Sequence, residues 1–200
     1  MYKNLLLMLS FLFSMSVSAQ DIKLNAPNKN GGKPLMHALN NRKSIREYSN
    51  KDIPVSVLSD LLWAANGFNR NDKRTSPTAN DRQEIELYVT LKSGVYWYDA
   101  KNQLLMLVKS GDHRKSTGEQ DFVADAPLNV IFVADMNKAS SREYAYADCG
   151  FIAQNIYLFA ASEGLGAVVR GWYDKDVLSD LLELPSHQEV LLTQSVGYPK

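Results

Sequence analysis

The stretch that most limits what this chain can fold into is residues 144–161, where Asp148 is the single ionisable carboxylate among Tyr, Phe, Ile, Leu, Ala, Gly and Cys neighbours. Its length and composition predict a helix that is apolar nearly all round, and such a helix must be buried on several sides. Ser141 precedes it, and Gly164 follows as a C-terminal stop. In a chain of 200 residues, one direct way to cover such a helix is to pack it against the same helix of a second copy. Asp148, Gln154 and Asn155 argue against a membrane span, because each needs a polar partner inside lipid.

A chain of this length supports one domain with a real core. Its 22 basic and 22 acidic side chains cancel, so no overall field recruits nucleic acid or an anionic membrane. Any anion must be held by a local cluster. Cys149 is the sole cysteine, which excludes an intramolecular disulfide and a multi-cysteine metal or iron–sulfur site, and its apolar surroundings predict an inert thiol. His37, His113 and His187 lack ligand spacing and no Gly-x-Ser-x-Gly elbow is present, so metal and hydrolase chemistry start low. Residues 1–19 read as a signal peptide: Lys3, an apolar run over 5–15, then Val17-Ser18-Ala19 before Gln20. The run is shorter than the ~20 residues that span a bilayer. The expectation is an exported, periplasmic protein without stable membrane insertion.

The local cluster is Arg42-Lys43-Ser44-Ile45-Arg46-Glu47-Tyr48. Alternate residues of an extended segment face the same way, so Arg42, Ser44 and Arg46 can address one anion together. Taken alone, such a run is more often a solvated basic loop. Around it the sequence predicts a flexible lead-in over 20–33, a short helix over 34–40, an amphipathic helix over 55–66, and a long polar loop over 67–81. Strands are expected over 84–91, with Ile85, Leu87, Val89 and Leu91 on one face, and over 94–99 and 103–108 as a hairpin. Residues 111–122 form a helix or a flexible flank. The near-continuous apolar run 128–134 is a strand buried on both faces and central in its sheet. A short strand over 167–171, a helix over 174–184 and a final strand over 190–197 complete the chain.

The order Arg-x-Ser-x-Arg-x-Tyr, polar link, Ile53-Pro54, then a helix ending Trp63-Ala64-Ala65-Asn66-Gly67 resembles the opening of the flavin-dependent nitroreductases. Residues 74–83 are similar to the family's second signature, a Pro-Ser-Ala-like turn before Asn-x-Gln. Here Asp81 stands at the asparagine position and Asn80 one place early. Gln154-Asn155 with Gly164-Leu165-Gly166 resembles the core helix and its turn, and Val196-Gly197-Tyr198-Pro199 the terminal phrase. The phrase Gly94-Val95-Tyr96-Trp97-Tyr98-Asp99 is similar to the branch that includes azoline-oxidising dehydrogenases.

The resemblance implies an α+β domain over 34–200, a mixed, largely antiparallel sheet flanked by helices, in an intertwined homodimer that binds FMN at its interface. It would place Arg42, Ser44 and Lys200 at the phosphate, Arg46 near the ring, and Lys43 among the cofactor contacts. Asn80 or Asp81, with Gln83, would meet the pyrimidine edge, and the main chain at Val169, Arg170 and Gly171 the N5 edge. The flavin would carry hydride between a small-molecule donor, NAD(P)H in the family, and a small acceptor such as a nitroaromatic or quinone, so no side chain is expected as a catalytic acid or base. A flavin carrier or sensor without turnover would use the same residues.

Overall fold

The computed structural model describes residues 19–200, so the leader read at residues 1–19 lies outside the described residues except for Ala19. The architecture is built outward from β5 (Leu128–Asp135), buried at every position. Side chains alternate across a strand, and both faces of β5 are covered. Leu128, Val130, Phe132 and Ala134 enter one core, whereas Ile131 and Val133 enter another. β2 (Ile85–Leu91) and β7 (Gln188–Gly197) flank it. The sheet continues through β3 (Gly94–Asp99), β4 (Leu104–Ser110) and β1 (Ile22–Lys23) on one side and β6 (Gly166–Arg170) on the other, in the order β1-β4-β3-β2-β5-β7-β6. Every ladder is antiparallel. The mixed character expected of the sheet is confined to an isolated parallel bridge between Ser44 and Ala167.

Three of the helices follow from local chemistry. α2 (Val55–Asn66) starts where Pro54 fixes its φ at −59°, and buries Leu58, Leu61, Leu62 and Ala65. α3 (Arg142–Glu163) is capped by Ser141, whose Oγ accepts the Tyr144 N–H at 3.3 Å, and is closed by Gly164 at φ 72°. Ala145, Asp148, Cys149, Ile152, Ala153, Ile156, Tyr157 and Ala160 form its buried stripe. Tyr144 and Phe151, 54% and 46% exposed, lie off that stripe. The helix expected to be covered on several sides is covered by its own chain along that stripe, between the sheet, α2 and the short helix Leu35–Asn41, while the face carrying Tyr144 and Phe151 stays open. α4 (Lys175–Leu181), shorter than expected, covers the second face of the sheet with Leu178 and Leu181; Asp174 caps it by accepting from Asp176 and Val177, both at 3.0 Å. A short α1 (Leu35–Asn41) delivers the chain to the basic segment.

Two expectations are corrected. The lead-in over 20–33 is pinned: Ile22 pairs with Leu105, Leu24 is buried, and main-chain N–H groups of Asn25, Asn28 and Lys33 donate to Ser59, Asp60 and Ser162. Its polar composition reflects main-chain bonding to side chains of α2 and α3, a pattern that mean polarity does not reveal. Residues 111–122 form neither a helix nor a loose flank, but two short 3-10 turns, Arg114–Thr117 and Asp121–Val123, with Thr117 and Val123 buried.

Candidate functional site

The basic segment is positioned by the outer edge of β6. Ile45 N–H donates to Ala167 O at 3.0 Å, and a Cβ on Gly166 would come within 2.6 Å of Ile45 Cβ, so glycine lets the two backbones meet. Tyr157, from α3, is the junction. Its hydroxyl lies 3.2 Å from Ser44 Oγ and accepts the Val169 N–H at 2.9 Å, and the Arg42 guanidinium sits 5.3 Å from its ring centroid. Lys43 and Lys200 line one cavity of about 200 Å³ with Ile45, Tyr157 and Pro199. The C-terminal tail is held there by Ser49 N–H on Tyr198 O at 2.8 Å and Lys200 N–H on Glu47 O at 3.3 Å. Arg42, Lys43, Ser44, Val169 and Lys200 therefore gather at the C-terminal part of α3, with Arg46 exposed two residues beyond Ser44.

Asn80, Asp81 and Gln83 do not join them. Their loop is anchored at the other end of α3, where Ala79 N–H donates to Asp148 Oδ2 at 2.8 Å and Asn80 Nδ2 to Ser140 Oγ at 3.2 Å. Asp81 is paired with Lys73, which holds its carboxyl below the usual range. Gln83 accepts from Arg74 Nε at 3.1 Å and donates to Asp72 O at 2.7 Å. Asp148 and Tyr157 are nine residues apart in α3, roughly 13 Å at 1.5 Å per residue.

The main-chain donors expected at 169–171 are also revised. On an edge strand, alternate residues turn their N–H and C=O outward. Ala167 and Val169 face out, to Ile45 and Tyr157, so Arg170 faces β7, where it pairs with Thr193. Val169 N–H is already used and Arg170 N–H lies in the sheet; Gly171, exposed, is the position left to offer a donor. The Arg170 side chain is buried, donating to Thr117 O at 2.8 Å and Asn129 Oδ1 at 3.2 Å. Burial lowers its pKa to about 10. A Cβ on Gly118 would collide with this guanidinium. Cys149 is buried, and burial pushes its thiol well up, which leaves it no nucleophilic role.

The profile of the Nitroreductase family matches residues 39–198. This chain belongs to the nitroreductase family. A provisionally named nitroreductase of Methanocaldococcus jannaschii is 27% identical over 168 residues, covering 76% of this chain and 85% of that protein. A crystal structure of a provisional nitroreductase from Ralstonia eutropha is 39% identical with a TM-score of 0.85, covering 92% and 91% of the two chains. One provisionally named an NADH oxidase, from Clostridium acetobutylicum, is 28% identical with a TM-score of 0.61, covering 82% and 87%.

As a nitroreductase the protein is an oxidoreductase of the flavin-using kind. Its donor set fits such a group. Among the described residues, none of Arg42, Lys43, Arg46 and Lys200 is in ion-pair range of a carboxylate. Four unpaired cations with a serine hydroxyl are the chemistry of a phosphate site. Sequence reasoning passed over Tyr157 as a site residue. Its one signal was a large hydroxyl-bearing ring amid the small and aliphatic residues of a core helix.

Proposed function

We propose that this nitroreductase uses FMN to pass hydride from a small-molecule donor to a small organic acceptor, a nitroaromatic, a quinone or a similar unsaturated compound. When bound, FMN supplies the two-electron chemistry at N5. The chain's part is anchorage and orientation. Arg42, Lys43, Ser44 and Lys200 would hold the phosphate, Arg46 the ring side, and Gly171 N–H the N5 edge. The observation that carries this reading is the unpaired cationic cluster around Ser44 and Tyr157. Isolating the protein and identifying any bound chromophore by mass tests it. A colourless protein that does not take up FMN on titration overturns it, as does bound flavin whose reduced form no acceptor reoxidises.

The reading includes a homodimer. Tyr144, Ala147, Gly150, Phe151 and Gln154 recur at helical spacing along α3 and are exposed. Gly150 has no heavy atom within 4 Å of its would-be Cβ, so another helix can approach closely there. Two copies of α3 crossing antiparallel would bring Asn80 and Gln83 of the partner subunit toward the Arg42 cluster, joining what about 13 Å of helix separates within one chain.

Export through the leader at residues 1–19 would put the enzyme in the periplasm, away from the main nicotinamide pool. The chain also lacks a Gly-x-Gly-x-x-Gly dinucleotide fingerprint. On this reading NAD(P)H reduces the protein slowly, and the working donor is an exported reductant or a membrane quinol. Anaerobic rapid mixing decides: bleaching by NADH or NADPH near the ~10 per second typical of enzymes removes the idea.

A further inference from the structure

Glu84 and Asp148 are each 1% exposed, and the Asp148 carboxyl is a close enough neighbour to push that of Glu84 up. Asp148 Oδ2 also accepts the Ala79 N–H at 2.8 Å. Glu84 Oε2 is buried with no donor reaching it, a costly state for an ionised carboxylate. Between Ala79 and Glu84 the backbone is unusual: Asn80, Asp81 and Gln83 take φ values of 53°, 56° and 49°. Non-glycine residues hold that conformation when their surroundings over-determine it. The restraints are visible at both ends of the segment, Ala79 tied to Asp148 and Glu84 next to the same carboxylate.

We propose that Glu84 and Asp148 share one proton and form a clasp that positions residues 78–83, with the Asp148 carboxyl accepting both from the Ala79 N–H and from the Glu84 carboxyl. The surroundings favour that state. Burial raises the Glu84 carboxyl from 4.5 to about 7; its own main-chain N–H opposes the shift and Asp148 reinforces it. α3 brings Asp148 and the neighbouring buried Cys149, itself pushed up by burial and by Asp148. β5 brings the Asp135 N–H to the Glu84 carbonyl at 3.0 Å, while the Asp135 carboxylate is turned to Lys138 at 3.2 Å. The loop offers the Ala79 N–H. Among the described residues no lysine, arginine or histidine is in ion-pair range of either carboxylate. The proton is thus the one positive charge available to the pair.

The sign of the pH effect follows from linkage. Glu84 has a raised pKa in the closed loop and an ordinary one when the loop opens, so the clasp is fully effective below about 4.5. It weakens as pH rises, and is lost above about 7. Opening should rise roughly tenfold per pH unit across that window and level off above it.

Hydrogen exchange on the purified full chain, read by mass spectrometry for peptides spanning 78–84 and corrected for intrinsic exchange, tests the clasp directly. The expected result is that slope in the wild type and its absence in Glu84→Gln, whose amide donates to Asp148 at every pH. Asp148→Ala should lose protection at Ala79 throughout. A flat wild-type profile, or an unchanged slope in Glu84→Gln, overturns the proposal. If the variants do not fold, infrared spectra of wild-type protein labelled with ¹³C-glutamate keep it testable: a buried carboxylic-acid band at pH 6 that disappears by pH 8 is expected, and no such band overturns it.

Any effect on the cofactor rests on the reading that residues 80–83 meet FMN. Titration with FMN over the same pH range separates the two ideas. Affinity that stays flat while the loop opens counts against that contact and leaves the clasp standing.

Discussion

The two ends of α3 solve opposite problems. Around Tyr157, polar groups are brought together and left unanswered: four cations with no carboxylate in range among the described residues, and a serine hydroxyl turned to the tyrosine. Around Asp148, nearly every polar group is answered inside the chain, Asp81 by Lys73, Gln83 by Arg74, Ala79 by Asp148, and the cost appears as three left-handed residues. The first end is arranged for something the chain does not itself contain. The second is a loop whose side chains are largely satisfied within the chain, suited to being presented to another surface.

The substitution expected to break this division most completely is Phe151→Asp. Phe151 is 46% exposed, so the single chain tolerates the change, whereas an unpaired charge enclosed between two copies of α3 costs several kcal/mol. On the proposed dimer, the expected outcome is a dimer-to-monomer shift in sedimentation with FMN affinity reduced by roughly 100-fold or more, because each site would lose the opposite chain's loop. Native helicity should persist. A wild type that sediments as a monomer, or a dimeric variant with normal FMN binding, removes the two-copy site.

Arg42→Ala addresses the open end alone. A charge-assisted contact to phosphate contributes about 1.5–3 kcal/mol, so FMN affinity should fall roughly tenfold to a hundredfold. Arg42 is only partly buried, and the flavin-free protein should melt almost unchanged. Unaltered FMN titration takes Arg42 out of the site.

This end was also the more legible in the sequence. Alternation in an extended strand is local, so Arg42, Ser44 and Arg46 could be read together before any fold was known. The apolar run at 128–134 announced a central strand for the same reason. What escaped was tertiary. The use of Val169 N–H depends on which side of β6 is free, and that is set by β7, far along the chain. The lead-in's order depends on Ser59, Asp60 and Ser162, which no local pattern connects to it. The separation of Asn80, Asp81 and Gln83 from the basic cluster depends on the length of α3 lying between them.

Tyr157→Phe probes the junction with a smaller effect. Removing the hydroxyl leaves the Val169 N–H without its acceptor, at about 1–3 kcal/mol, so the melting temperature should drop by several degrees. FMN affinity should fall only a few-fold, less than in Arg42→Ala, since Ser44 then keeps its hydroxyl for the ligand. A stable variant with no change in melting means another donor or acceptor replaces the hydroxyl.

The smallest effect belongs to the closed end and decides between two neighbours. Asp81 is engaged twice, by Lys73 and by Gln83 Nε2 at 3.2 Å. The Asn80 side chain has one exposed contact, with Ser140 Oγ at 3.2 Å. A group already tied by a cation must give up that pairing to turn to a ligand, whereas an amide on an exposed hydroxyl gives up little. In the proposed two-copy site, Asn80 would therefore be the residue free to reach the pyrimidine edge. Asn80→Ala should weaken FMN binding by roughly twofold to tenfold, the equivalent of one neutral hydrogen bond, and Asp81→Asn should leave it unchanged. The reverse pattern in paired titrations would give the contact to Asp81, and show that the signature's asparagine position outweighs the ion pair that occupies it.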